Sequence, residues 1–196
     1  MAQASAAHKL EEIWTEPWEW TYEDYLNLPD DGCRYEIIEG LLYMTNAPDI
    51  DHQFAVVKIL VQLDQFVTRH KFGYVLTAPF EVHLSETTRP VQPDVLFIRA
   101  EKWPGAGVKY FEGVPDMVIE VLSPASRRTD QVIKFTAYEK AKVPEYWIVN
   151  PNTGTVQVFC LEGEQYISSG EFSGKEMIRS MLLPDMEIIA ESLFSK

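Results

Sequence analysis

Long apolar runs are missing from this 196-residue chain. No stretch nears the ~18–20 residues that a membrane-crossing helix needs. The opening MAQASAAHKLEEIW has neither the basic stretch nor the apolar stretch of an export signal. The sequence therefore reads as a cytoplasmic protein with no membrane partner. Cysteine is scarce. Cys33 and Cys160 lie far apart, in no C-x-x-C pair and in no Cys/His cluster, which argues against structural zinc. Both are expected to be buried, reduced thiols, with Cys33 partly exposed in the polar turn DDGCRY. Positive charge is also short: 17 Lys and Arg face 30 Asp and Glu, a formal net charge of −13. Phosphate contacts need Lys and Arg, so tight, metal-free, nonspecific binding to nucleic acid is disfavoured. Internal repeats and linkers are absent. The expectation is one domain, residues 19–196, after a flexible N-terminal segment, residues 1–18.

What is present is ordinary for a globular protein: 46% hydrophobic and 24% charged residues. The length suffices to bury a sizeable core. Thr21 to Leu28 reads as a short helix, with Thr21 and Asp24 set as a capping box. RYEIIEGLLYM reads as a β-hairpin turning at Glu39-Gly40. Asp51 is expected to open a long helix to about His70, with Phe54, Val57, Leu60, Val61, Leu63 and Val67 as its apolar stripe. GYVLTAPFEVHL reads as one or two strands. VQPDVLFI, PDMVIEVLS and EYWIVNP are further strands, and the segment around KWPGAG reads as a loop. RTDQVIKFTAYEKA is expected to be a helix. TVQVFCLEG and EQYISS form a terminal meander, and PDMEIIAESLF closes the chain with a short strand or turn and a short helix. The order implies an α/β protein with a mixed central sheet flanked by helices.

Two acids interrupt the core strands. Asp94 opens VLFI, and Glu120 breaks MVIEVL. A carboxylate buried in a strand costs several kcal/mol unless it is paired, hydrogen-bonded or metal-bound. Acids on neighbouring strands can share one hard cation such as Mg²⁺, or Mn²⁺. The alternative is a plain ion pair of Glu120 with Arg127 or Arg128. Asp116 shares a face with Glu120 but lies ~13 Å along the strand, so it reads as the residue that starts the strand. On the following helix Asp130, Lys134 and Tyr138 recur every four residues and share a face. Ile133, Ala137 and Ala141 are expected to face the sheet. Lys134 can reach over the end of the Glu120 strand, to orient or deprotonate a water or to stabilise charge at phosphorus. Its other reading is a solvated lysine paired with Asp130. Glu39 is a candidate third oxygen ligand, or a turn residue. His52 could touch phosphate or a ligand water, or be a surface helix residue. Ser123 and Ser126 could donate to phosphate, or serve the turn.

The blocks RYEIIEGLLYM, DHQ, VQPDVLFI, PDMVIEVLSPASRRTD and KFTAYEKAKVPEYWIVNP closely resemble the Uma-type restriction endonucleases of the PD-(D/E)XK superfamily, from about residue 20 to the C-terminus. The resemblance implies a restriction-endonuclease-like core with a C-terminal β meander, and metal-dependent cleavage of DNA. It maps the family motif onto Pro93-Asp94 and onto Glu120-Val121-Leu122. It implies catalytic Asp94, Glu120 and Lys134, metal held by Asp94, Glu120, Val121 and Glu39, and substrate contacts from His52, Ser123 and Tyr138. The superfamily's lysine should stand at Leu122 and does not. In some members it has moved to the following helix, which here points to Lys134. The other function classes kept open are a catalytically degenerate dimeric binding or regulatory module and, more remotely, a two-carboxylate glycoside hydrolase. A symmetric homodimer is expected, with Val156, Val158, Phe159 and Tyr166 of the meander as its contact surface.

Overall fold

The computed structural model describes residues 19–45, 47–123 and 129–195. The expectations for residues 1–18, Ser126, Arg127 and Arg128 lie outside them. Short α1 (Tyr22–Leu26) starts at Thr21, whose side chain and that of Asp24 cap each other's backbone N–H. The β1 (Arg34–Ile38) and β2 (Leu41–Thr45) hairpin follows. Glu39 and Gly40 form its turn with φ of 53° and 75°, the positive values a two-residue type I′ hairpin requires.

Helix α2 (Ile50–His70) is capped by Asp49, whose carboxylate accepts the His52 N–H at 2.9 Å; Asp51 already lies inside the helix. The stripe it buries is only partly the expected one, sharing Leu63 and Val67 with it. His52, Ala55, Val56, Ile59, Leu63 and Val67 face inward, while Phe54, Val57 and Val61 are exposed. The helix is apolar around most of its girth, so two helical stripes compete. The sheet takes the one with the smaller Ala55 and Val56, which lets the helix approach closely. Each fully buried Ile or Leu of that ridge contributes roughly 1.5–3 kcal/mol.

The central sheet has six strands in the order β10-β9-β8-β7-β5-β3. They are β3 (Gly73–Thr77), β5 (Val95–Arg99), β7 (Met117–Val121), β8 (Glu145–Asn150), β9 (Thr155–Glu162) and β10 (Gln165–Ser173). Only β7 and β8 run parallel, and the helical segment between them supplies the crossover that a parallel pair needs. Strands β8, β9 and β10 form the antiparallel meander. Beside the sheet lies a small parallel pair, β4 (Glu81–His83) with β6 (Tyr110–Glu112). The second of these is a strand in a segment that reads as loop. Strands β11 (Met177–Ile178) and β12 (Ile188–Ile189) pair near the C-terminus, and a single 3₁₀ turn, Ala190–Leu193, follows.

Strand alternation sorts the core into two layers. Val95, Phe97, Met117, Ile119, Val121, Trp147 and Val149 pack toward α2 and the C-terminal segment. Leu96, Ile98, Val118, Leu122, Tyr146 and Ile148 pack on the other side, under the hairpin and the crossover. Val156 and Val158 belong to the first layer. Phe159 and Tyr166 pack into the second. These four meander residues serve the chain's own core, so the expected dimer surface is not built from them. Cys33 is exposed, as its polar turn suggested, and Cys160 is half-buried rather than buried.

The crossover begins with a π-helical turn, Thr129–Lys134, and continues as α3 (Phe135–Lys140). Asp130, Lys134, Ala137 and Tyr138 are its buried residues. The face carrying the polar triplet is therefore turned into the protein.

Candidate functional site

Strands β5 and β7 pair antiparallel with Val95 opposite Ile119 and Leu96 opposite Val118. Carried one residue further, this register sets Asp94 across from Glu120. Both alternate with the second layer's Leu96 and Val118, so both carboxylates belong to one face of the sheet. Asp94 has only 4% and Glu120 only 1% of its surface exposed. Pro93 has no N–H or free backbone geometry to extend the ladder. At that point Asp94 Oδ2 accepts the Val121 N–H at 2.9 Å, in place of a backbone carbonyl.

The compensation for Glu120 comes from the crossover. Lys134 Nζ donates to Glu120 Oε1 at 3.0 Å, and the Tyr138 hydroxyl donates to the same oxygen at 2.7 Å. Lys134 is itself 1% exposed. It also stands 3.0 Å from Glu36 Oε2 and 3.9 Å from Asp130 Oδ1. The Glu36 contact is an ion pair without hydrogen-bonding angles, since Oε2 has no hydrogen-bond partner, while Glu36 Oε1 accepts the Gln92 N–H at 2.6 Å. The wider π turn is pinned by the Tyr146 hydroxyl, which donates to the Asp130 carbonyl at 2.9 Å. On the Asp94 side, His52 Nε2 lies 3.0 Å from Asp94 Oδ2, and Arg34 Nη2 lies 3.7 Å from Oδ1. The buried His52 Nδ1 has no hydrogen-bond partner among the described residues.

Burial pushes the Glu120 carboxyl well above the usual range, and this outweighs the attraction of Lys134; Asp94, Asp130 and Glu36 push the same way. Asp94 goes the other way. Burial raises it, but His52, Lys134 and Arg34 together hold it below the ordinary carboxylate range. Burial would strip the proton from Lys134, yet Glu120, Glu36, Asp130 and Asp94 hold the ammonium above the ordinary lysine range. The Tyr138 phenol, pushed up by burial and then by Glu120, stays protonated and donates.

Asp94, Glu120, Lys134, Tyr138 and His52 thus meet in one cluster. Val121 enters it through its backbone. Ser123 is half-buried, two residues beyond the end of β7. Glu39 lies elsewhere: the Thr88 hydroxyl donates to its Oε1 at 3.1 Å, and Lys140 Nζ donates to Oε2 at 2.5 Å. Asp116 starts β7 and binds the Arg99 N–H and Lys102 Nζ. Two members were missed from the sequence, Glu36 and Arg34. Glu36 breaks the run YEII just as Glu120 breaks VIEV, and the same rule would have found it.

A cleft of about 740 Å³ reaches this cluster from outside, with Asp94, His52, Arg34 and Gln92 among its lining. Glu120, Lys134 and Tyr138 stand behind Asp94. Among the described residues no three His, Cys, Asp or Glu side chains form a ready-made metal cage. The donors are nonetheless all hard oxygens. Glu36, Asp94, Glu120 and Asp130 gather around the permanent cations Lys134 and Arg34. Acids brought together from two adjacent strands fit a hard divalent ion that keeps most of its waters.

The fold and the paired acids define a restriction-endonuclease-like α/β protein. Residues 22–191 match the Uma2 family, described as a putative restriction endonuclease, and the chain belongs to that family. Among solved structures, it is similar to a putative nuclease of the DUF820 group from Anabaena variabilis, at 19% identity and a TM-score of 0.76. The alignment covers 89% of this chain and 97% of that one. No match was found among curated proteins. Among the described residues no helix is long and apolar enough to cross a membrane.

Proposed function

We propose that the protein is a divalent-metal-dependent nuclease that hydrolyses DNA phosphodiester bonds. The observation that carries this is the pairing of Asp94 with Glu120 across adjacent strands, with the buried Lys134 ammonium beside Glu120 and Asp94 at the floor of a cleft. Restriction-endonuclease-like families generally use divalent metals. Asp94, Glu120 and the Val121 carbonyl would hold Mg²⁺ or Mn²⁺. Glu36, on the same hairpin as Glu39 but inside the cluster, is the better-placed further oxygen. When bound, the ion supplies an acidified water and charge neutralisation at phosphorus.

The chain's own residues do the rest. His52 Nε2 and the Val121 N–H fix the Asp94 carboxylate. Lys134 acts as a fixed positive charge and hydrogen-bond donor beside the attacked phosphate. Held charged by four carboxylates, it is a poor proton acceptor. Tyr138 positions Glu120 from behind. Arg34, at the cleft, meets the phosphate. A non-cleaving binding module is favoured by two observations: Leu122, where the superfamily's lysine would stand, is buried in the core, and the net charge is −13.

The test is cleavage of plasmid and labelled oligonucleotides by the purified chain in Mg²⁺ or Mn²⁺, against an EDTA control. Asp94→Asn and Glu120→Gln should abolish it. Lys134→Ala should cut it by ~10²–10³-fold, the worth of one preorganised charge-stabilising donor. A wild-type chain that cleaves no nucleic acid with either metal refutes the proposal.

A further inference from the structure

Resting on the nuclease reading, we infer that the substrate enters this cleft as an unpaired DNA strand, with one unstacked base against its apolar wall. Depth is the first observation. The cleft, of about 740 Å³, ends on Asp94. Asp94, at its floor, is buried, so a scissile phosphate must descend between the walls to reach it.

The walls are the second observation. Leu26, Val57, Leu60, Pro48 and Pro79 line one cleft with Tyr25. Leu26 and Val57 are 64% and 51% exposed, an unusual amount of open aliphatic surface beside a charged floor. Unstacked bases are taken up on such apolar and aromatic surfaces. The third observation is charge. Among the described residues of the lining Arg34 is the one permanent cation. A duplex is gripped through many phosphates on two backbones, which needs rows of Lys and Arg. One arginine suits one phosphate. The cleft therefore offers a single phosphate seat flanked by a base seat.

The experiment compares a short fluorescein-labelled single strand with its own duplex. Binding is read by anisotropy in Ca²⁺, cleavage in Mg²⁺ or Mn²⁺, and unstacking by a 2-aminopurine at the central position. Expected are at least tenfold tighter binding of the single strand and a rise in 2-aminopurine fluorescence. Val57→Glu, which sets a carboxylate against the base and phosphate seats, should weaken that binding several-fold, with its melting temperature and sedimentation unchanged. Equal or tighter binding of the duplex overturns the inference while leaving the nuclease reading intact if cleavage occurs. Single-strand binding without cleavage in either metal overturns the nuclease reading and leaves this one standing. If Val57→Glu instead turns a dimer into a monomer and leaves strand binding unchanged, the wall is a contact between copies and the inference fails.

Discussion

Replacing Lys134 by Met tests the electrostatic account of the site without any substrate. Methionine matches the length and flexibility of the lysine stem but brings no charge. In the wild type the ammonium is 3.0 Å from Glu120, 3.0 Å from Glu36 and 3.9 Å from Asp130, all within the protein. Removing one partner of a buried ion pair leaves the other charge uncompensated and costs about 3–5 kcal/mol. For a chain of this size that is a fall of ~6–20 °C in melting temperature. The assay is urea and thermal unfolding in EDTA near neutral pH, where no metal masks the effect. The companion variant Lys134→Met with Glu120→Gln removes both the cation and one carboxylate, and should recover part of the loss because the two sites are in contact. If Lys134→Met is as stable as the wild type, the carboxylates are not ionised around a lysine, and the charged role given to Lys134 falls with them.

The same cluster has a pH signature. Glu120 is held above its unfolded value of ~4.3, so its contribution to stability is fully present below that value and is lost as pH rises through its folded value. In EDTA, wild-type stability should decline between mildly acidic and neutral pH, and Glu120→Gln should flatten that slope; an unchanged slope would show that Glu120 is not the group responsible. Mn²⁺ should raise the wild-type melting temperature by mass action, and Asp94→Asn should lose that rise, as calorimetric titration of the ion would check directly. Arg34→Met should reduce the slope of log affinity for a single strand against log salt by about one, the signature of one lost phosphate contact. Gly73→Ala should destabilise by ~2–4 kcal/mol or more, because its Cβ would lie 2.0 Å from the Ile98 carbonyl oxygen; unfolding in urea would register it.

Much of this was legible in the residue order, and the exceptions have physical causes. The Thr21–Asp24 box and the Glu39-Gly40 turn are local chemistry, and local chemistry is where sequence speaks most directly. Asp94 and Glu120 stood out as acids interrupting apolar strands, while the register of β5 on β7 was needed to set both on one face. The stripe on α2 was not legible. A helix with Phe54, Val57 and Val61 on one side and Val56, Ile59 and Leu63 on another has two candidate faces, and only the sheet decides between them. For the same reason the sequence leaves His52 between a phosphate or water contact and a surface helix residue, and its burial follows from Asp94 being there to meet it. The π turn at Thr129–Lys134 has no local signature, because Tyr146, from the next strand, holds its carbonyl.

That crossover separates the charge from the frame that carries the acids. A lysine at position 122 would be fixed by β7 and could leave Glu120 only if the central sheet came apart. Lys134 instead rides on a π turn and a six-residue helix, joined to the sheet through a few side chains. Opening this short segment removes cation and phenol together and strands Glu120 without donors, while the pairing of β5, β7 and β8 survives. Competence for chemistry and integrity of the fold thus become separable quantities. Hydrogen exchange should find the amides of Phe135–Lys140 yielding at a lower free energy than those of Met117–Val121, and the fraction of time spent in that disarmed state sets a ceiling on how often the site is ready.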